Sequence, residues 1–169
     1  MQWQTLLVPH DFSSAATRAF NLACDLAALS GGRVVLLHVS PIPHGLRPDS
    51  KIVPEDGKSA VRIDEYMTSA AKKKLTDALD ARKIPGSVCA VAAEGDCADV
   101  ILAEAVEHKA DVIVMGTHGR TGVKRLLLGS VAERVLRRAD VPVVVVRDPN
   151  VTEDKHLREE DAVQDEEGG

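Results

Sequence analysis

Hydrophobic positions along this chain fall into two alternating kinds of segment. Residues 5–8 are a short apolar run closed by Pro9. From Ser13 and Ser14 onward, Ala16, Phe20, Ala23, Leu26 and Ala27 recur at helical spacing until Gly31 and Gly32 interrupt it. That pattern predicts a helix capped by one of the two serines and stopped by the glycines. Residues 33–39 form a second apolar run with little polar alternation, as expected of a strand covered on both faces. The stretch 41–57 holds four of the eight prolines and predicts a long surface loop. A helical pattern follows over about 59–83 and ends before Pro85. Beyond it the periods predict a strand at 88–93, a helix at 98–108, a strand at 112–115, a helix at 130–139 and a last strand at 141–146.

Strands and helices thus alternate five to four, with no internal repeat and no second domain. Alternation of this kind implies parallel strands, right-handed crossovers and helices on both faces. The expected fold is α/β: a doubly wound five-stranded parallel sheet in order 3-2-1-4-5, spanning 1–147. Open sheets of this type bind ligands beyond the carboxyl ends of their strands, where the strand order reverses. The residues after the first, second and fourth strands are therefore the place to look for chemistry.

After the fourth strand come Met115, Gly116, Thr117, His118, Gly119, Arg120, Thr121 and Gly122, and then Gly129 and Ser130 open the last helix. Glycines let backbone approach a ligand closely. A helix start offers free N–H groups and a favourable dipole to an anion. Arg120, Lys124, Arg125, Arg134, Arg137 and Arg138 lie in this stretch, against Glu133 alone among acids. Together these features describe a phosphate site. Each has a plainer reading: turn glycines, a capping box of Ser130 with Glu133, and a solvated arginine face. Their coincidence at the end of a central strand favours the site. Neither G-x-x-x-x-G-K-[ST] nor a G-x-G-x-x-G after the first strand is present. Asp11, after the first strand, reads equally as a hydrogen-bond acceptor for a ligand amine or ribose hydroxyl and as the cap of the first helix. His118 reads as a phosphate contact or as a residue that orders its loop.

Composition sharpens this picture. The chain has 169 residues, 44% hydrophobic and only 2% aromatic, with a net charge of −5. An apolar fraction near one half excludes disorder throughout, and the core must be built from Val, Leu, Ile and Ala. Residues 148–169 hold nine acids against Lys155 and Arg158, which leaves 19 basic and 17 acidic residues in the other 147. This tail is expected to be a disordered solubiliser, or else to fold back on the arginines and compete with a ligand. With few aromatics to stack bases and a core charge of only +2, nucleic acid is not an expected partner. Cys24, Cys89 and Cys97 show no metal or redox spacing, and Asp96 and Asp99 oppose a reactive thiolate at Cys97. His10, His38 and His108 likewise show no metal-ligand spacing with carboxylates or cysteines. No run approaches a membrane span and no leader precedes the first strand, so a cytoplasmic location is expected.

Gly116, Gly119, Gly129 and Ser130 have the spacing G-x2-G-x9-G-[ST], and here the sequence resembles the nucleotide-binding branch of the universal stress protein family. The resemblance extends to Pro9 and Asp11, to Leu37, His38 and Val39, and to the closing valine strand, and covers about residues 2–147. It implies an ATP site. Pro9, Asp11 and the Val39 backbone would border adenine, and Met115 and Gly116 the ribose. Gly119, Gly129, Ser130 and Val131 would donate to phosphates, with His118 and Arg120 beside them. Mg²⁺ or Mn²⁺ would bridge the phosphates. The family commonly has Gly-x-Pro after the third strand; here Gly95, Asp96 and Cys97 keep only the glycine. The resemblance also implies a homodimer through Val141, Pro142 and the four valines that end at Val146.

Three functions follow for testing. The first is an ATP-binding stress-response module whose nucleotide state couples to the dimer or to an unidentified protein partner. The second is a slow ATPase or an autophosphorylating phosphotransferase. The third is a structural or chaperone-like dimer, against which the glycines speak. Phosphoryl transfer needs a positioned nucleophile or base. Asp11, Asp96, His118 and Ser130 form no recognisable catalytic set, so binding leads.

Overall fold

The computed structural model describes residues 3–54, 57, 59–117 and 128–147. Its elements run β1 (Thr5–Pro9), α1 (Ser14–Ser30), β2 (Arg33–Pro41), β3 (Lys51–Ile52), β4 (Val61–Arg62), α2 (Ile63–Arg82), β5 (Gly86–Ala93), α3 (Cys97–Glu107), β6 (Val112–Gly116), α4 (Ser130–Arg138) and β7 (Val143–Val146). Five strands form one parallel sheet in the order β5-β2-β1-β6-β7. With the short β3–β4 pair set aside, this is the expected order 3-2-1-4-5.

Period-two geometry divides the strand residues between two helical layers. Leu6, Val8, Val34, Leu36, Val112 and Val114 join Phe20, Ala23, Leu75 and Leu79 of α1 and α2. Leu7, Val35, Leu37, Ile113 and Met115 join Ala98, Ile101, Ala105, Ala132 and Val135 of α3 and α4. Both layers are apolar, which is why the strands read as unbroken hydrophobic runs. Ser13 caps α1, its Oγ accepting from Ala16 N–H at 3.2 Å, and Gly31 ends it at φ +67°.

The segment between β2 and α2 differs from the expected plain loop. Lys51 and Ile52 pair antiparallel with Arg62 and Val61. This ribbon takes up the residues that the helical pattern had assigned to the start of α2, so the helix begins at Ile63 rather than near residue 59. Ile63 N–H is committed to the Ser50 carbonyl at 2.9 Å. Among the described residues no helix is long and apolar enough to cross a membrane.

Candidate functional site

The carboxyl ends of β1, β2 and β6 open on a cleft of about 490 Å³, a size ordinary for a small-molecule site. It lies at the switch point, because the chain leaves β1 toward β2 on one side and β6 toward β7 on the other. Eight of the eleven residues expected to border a nucleotide line it: Pro9, Asp11, Val39, Met115, Gly116, Gly129, Ser130 and Val131. His118, Gly119 and Arg120 lie outside the described residues, as do Lys124, Arg125 and the tail.

The β1–α1 turn forms one wall. Asp11 Oδ1 accepts from Ser13 N–H at 3.0 Å, closing a turn just before the helix. The cap of α1 is therefore Ser13, and the capping alternative for Asp11 is not what the fold uses. His38 is buried, and its Nδ1 donates to the His10 carbonyl at 2.7 Å. His10 Nδ1 in turn accepts from Phe12 N–H at 3.1 Å. Burial lowers the His10 pKa, the nearby Asp11 charge opposes this, and His38 adds to the lowering. Phe12 packs its ring 4.8 Å from that of His38 and sits at φ +68°, an unusual angle for a non-glycine residue.

The α4 N-terminus forms the opposite wall. Its cap is Gly129, with no side-chain hydrogen bond, and Ser130 is the first helical residue. A capping box would need Ser130 at the cap with Glu133 reaching back to it. Instead Glu133 Oε1 accepts from Arg137 Nε at 3.1 Å. That alternative is thus corrected: among the described residues no side chain caps the first N–H groups of α4. By contrast α3 is capped by Asp96, which accepts from Ala98 N–H at 2.9 Å.

The arginines require a second correction. Arg134 pairs with Asp96, Arg137 with Glu133 at 3.0 Å, and Arg138 with Asp99. These three are committed to acids of α3 and α4, so the solvated-face reading holds for them; among the described residues no lysine or arginine lines the cleft. Gly116 also has a reason beyond any ligand. A Cβ there would lie 2.8 Å from Ala15 Cβ and 2.9 Å from Ala15 C, so the glycine lets α1 close on the end of β6.

Met67, from α2, and Ser40, from the end of β2, line the cleft without any signal in the sequence. Cys97 also lines the cleft, and burial raises its pKa, which agrees with the expectation against a reactive thiolate. The expectation that His108 shows no metal-ligand spacing with carboxylates or cysteines fails. His108 lies one turn from Glu104 on α3, and both meet Cys89 of β5. The i,i+4 spacing of Glu104 and His108 was visible in the sequence; the approach of Cys89 was not.

Sheet order and cleft position define the class: doubly wound α/β proteins with a ligand-sized crevice at the switch point. Comparison with known proteins narrows it. The model of the universal stress protein family matches residues 2–147, and the chain belongs to that family. A universal stress protein of Methanocaldococcus jannaschii is 32% identical over 156 residues, 87% of this chain and 84% of that relative. Among solved structures, universal stress protein UspA from Lactobacillus plantarum superposes with a TM-score of 0.67 at 22% identity, over 87% of this chain and 99% of its own. A universal stress protein solved in complex with cAMP gives 0.61 at 24% identity, over 87% and 98%. At these identities the two structures bear on fold alone.

Proposed function

We propose that this chain binds ATP in the switch-point cleft and acts as a nucleotide-holding regulatory module, its nucleotide state coupled to a homodimer or to a partner protein. The observation that carries the reading is the α4 N-terminus, which faces the cleft and, among the described residues, has no side-chain cap. Backbone N–H groups so placed suit phosphate oxygens. The apolar side chains of Pro9, Val39 and Met115 suit the faces of a purine. Gly129 has φ −70° and ψ 153°, extended backbone that any residue adopts. Backbone angle does not require a glycine there; close approach of a phosphate would. One protein of this fold has been solved with cAMP, an adenine nucleotide.

With no described lysine or arginine in the cleft wall, backbone donors, Gly119 and Arg120 would share the phosphates. Mg²⁺ or Mn²⁺ would be held mainly by phosphate oxygens, since Asp11 is the single acid of the described wall. Binding is favoured over catalysis because Asp96 is taken up by Ala98 N–H and Arg134. Of the acids and bases weighed for phosphoryl transfer, Asp11 and Ser130 are the ones the described cleft retains.

Freshly purified protein, denatured and analysed for released nucleotide, is expected to yield ATP. Gly129→Val should remove calorimetric ATP binding while leaving the circular dichroism spectrum unchanged. Undiminished affinity in a folded Gly129→Val protein would overturn the site. Multiple-turnover ATP cleavage at or above about 1 per second would move the reading to an enzyme.

A further inference from the structure

The sheet face opposite α1 and α2 carries a second cluster of chemically active side chains, away from the nucleotide cleft. Cys89 of β5 packs among the apolar residues beneath α3. Glu104 and His108 stand one turn apart on that helix. Cys89 Sγ lies 3.4 Å from Glu104 Oε2, and His108 Nε2 lies 3.3 Å from the same oxygen. All three donor atoms fall within 4.8 Å of one another. The Glu104 and His108 side chains are 20% and 27% exposed, so the cluster is sheltered yet reachable from solvent.

These separations have a chemical meaning. Zinc bonds of about 2.3 Å to sulfur and about 2.0–2.2 Å to nitrogen or oxygen imply donor–donor edges of about 3.3–3.6 Å in a tetrahedron. The two edges that share Glu104 Oε2 already have that length. His108 is the C-cap of α3, with its N–H on the Glu104 carbonyl and its own carbonyl accepting from Arg33 Nη2 at 3.4 Å. The helix end is thereby held while the imidazole reaches the carboxylate.

A nucleophilic cysteine is the competing chemistry, and the order of the groups opposes it. The carboxylate stands between thiol and imidazole, whereas an activated cysteine needs the imidazole beside it. Burial, reinforced by Glu104, pushes the Cys89 thiol up to about 11, with Lys72 opposing weakly.

We propose that Cys89 Sγ, Glu104 Oε2 and His108 Nε2 form a three-ligand site for a borderline-soft divalent cation, zinc fitting best, with water completing a tetrahedron. A thiolate and an imidazole favour zinc over magnesium or calcium. On binding, the cation takes the sulfur and nitrogen lone pairs, and the thiol proton, with that of any imidazolium, passes to solvent. No electron is transferred. The site would tie β5, at the sheet edge, to α3.

The test is a cobalt titration of the reduced, chelator-stripped full-length chain. One equivalent should produce a near-ultraviolet sulfur-to-cobalt charge-transfer band with tetrahedral visible bands, and zinc should displace both. Cys89→Ser should abolish the charge-transfer band. His108→Gln and Glu104→Gln should each weaken binding at least about tenfold, the loss already seen when only a supporting partner of a metal ligand is removed. His108→Gln keeps the test open should Cys89→Ser fail to fold. The double variant Cys24→Ser/Cys97→Ser should keep the parent's charge-transfer band. Absence of the band, its survival in Cys89→Ser, or its loss in Cys24→Ser/Cys97→Ser would overturn the proposal and leave a hydrogen-bonded triad.

Discussion

The neutral imidazole of His10 organises the cleft's first wall, because its Nδ1 is the acceptor for Phe12 N–H. Protonation would put a second donor where an acceptor is needed, in a site where burial already disfavours charge. With the folded pKa depressed, the unfolded chain binds more protons just below the unperturbed value of about 6.5. Stability is therefore fully present above about 6.5 and lost as pH falls toward the folded value. Denaturant midpoints measured from about pH 7.5 down to about 5.5 should decline, and His10→Asn should flatten part of that slope. Identical slopes in the two proteins would sink the assignment. The glycines beside this wall show how far a motif can be read. The spacing of Gly116, Gly119, Gly129 and Ser130 was plain in the sequence. That Gly116 admits the backbone of Ala15, at a cost for any side chain of about 1–3 kcal/mol, was not. A close approach of two segments 100 residues apart leaves no mark in either.

Helices and strands were legible wherever their period was uninterrupted, and least so at their ends. α2 starts at Ile63 because the chain before it is drawn into a two-residue ribbon with Lys51 and Ile52. Capping was ambiguous for a similar reason: Ser13 and Asp11, or Gly129 and Ser130, differ by a residue or two. The choice depends on which N–H each side chain can reach. β7 occupies one edge of the sheet, as expected, with β5 at the other. The carbonyls of Pro142 and Val146 turn inward to Ile113 and Thr117 N–H at 3.0 and 2.9 Å. By period two, Val143 and Val145 present their backbone groups to the open edge. Val144 packs against the α1–α2 layer, so a lysine there would harm the core rather than test the edge. We propose that β7 pairs with a second copy of itself. Val145→Pro removes an outward donor without touching the β6 ladder, and should shift the protein from dimer to monomer on a sizing column. A dimer that survives this change would refute edge pairing.

Charge belongs to the molecule as a whole, and there the average misleads. The net −5 is set by residues 148–169, without which the chain carries 19 basic and 17 acidic residues. Folding back of the tail onto the arginines was one expectation; Arg134, Arg137 and Arg138 already have acidic partners in Asp96, Glu133 and Asp99, while Arg120 and Arg125 lie outside the described residues. A chain ending at residue 147 should therefore focus above neutral pH, from a starting pI near 5.7, and bind ATP with unchanged affinity by calorimetry. Tighter binding would show the tail to be a competitor. Element type, element order and burial on both sheet faces follow from the spacing of apolar residues, a property of neighbours in sequence. Three other outcomes depend on contacts between distant segments: the pairing of Arg134 with Asp96 and of Arg138 with Asp99, the arrival of Met67 in the cleft, and the meeting of Cys89 with Glu104 and His108. Such contacts form when helices pack on a sheet, and a pair of side chains brought together once has no period to announce it.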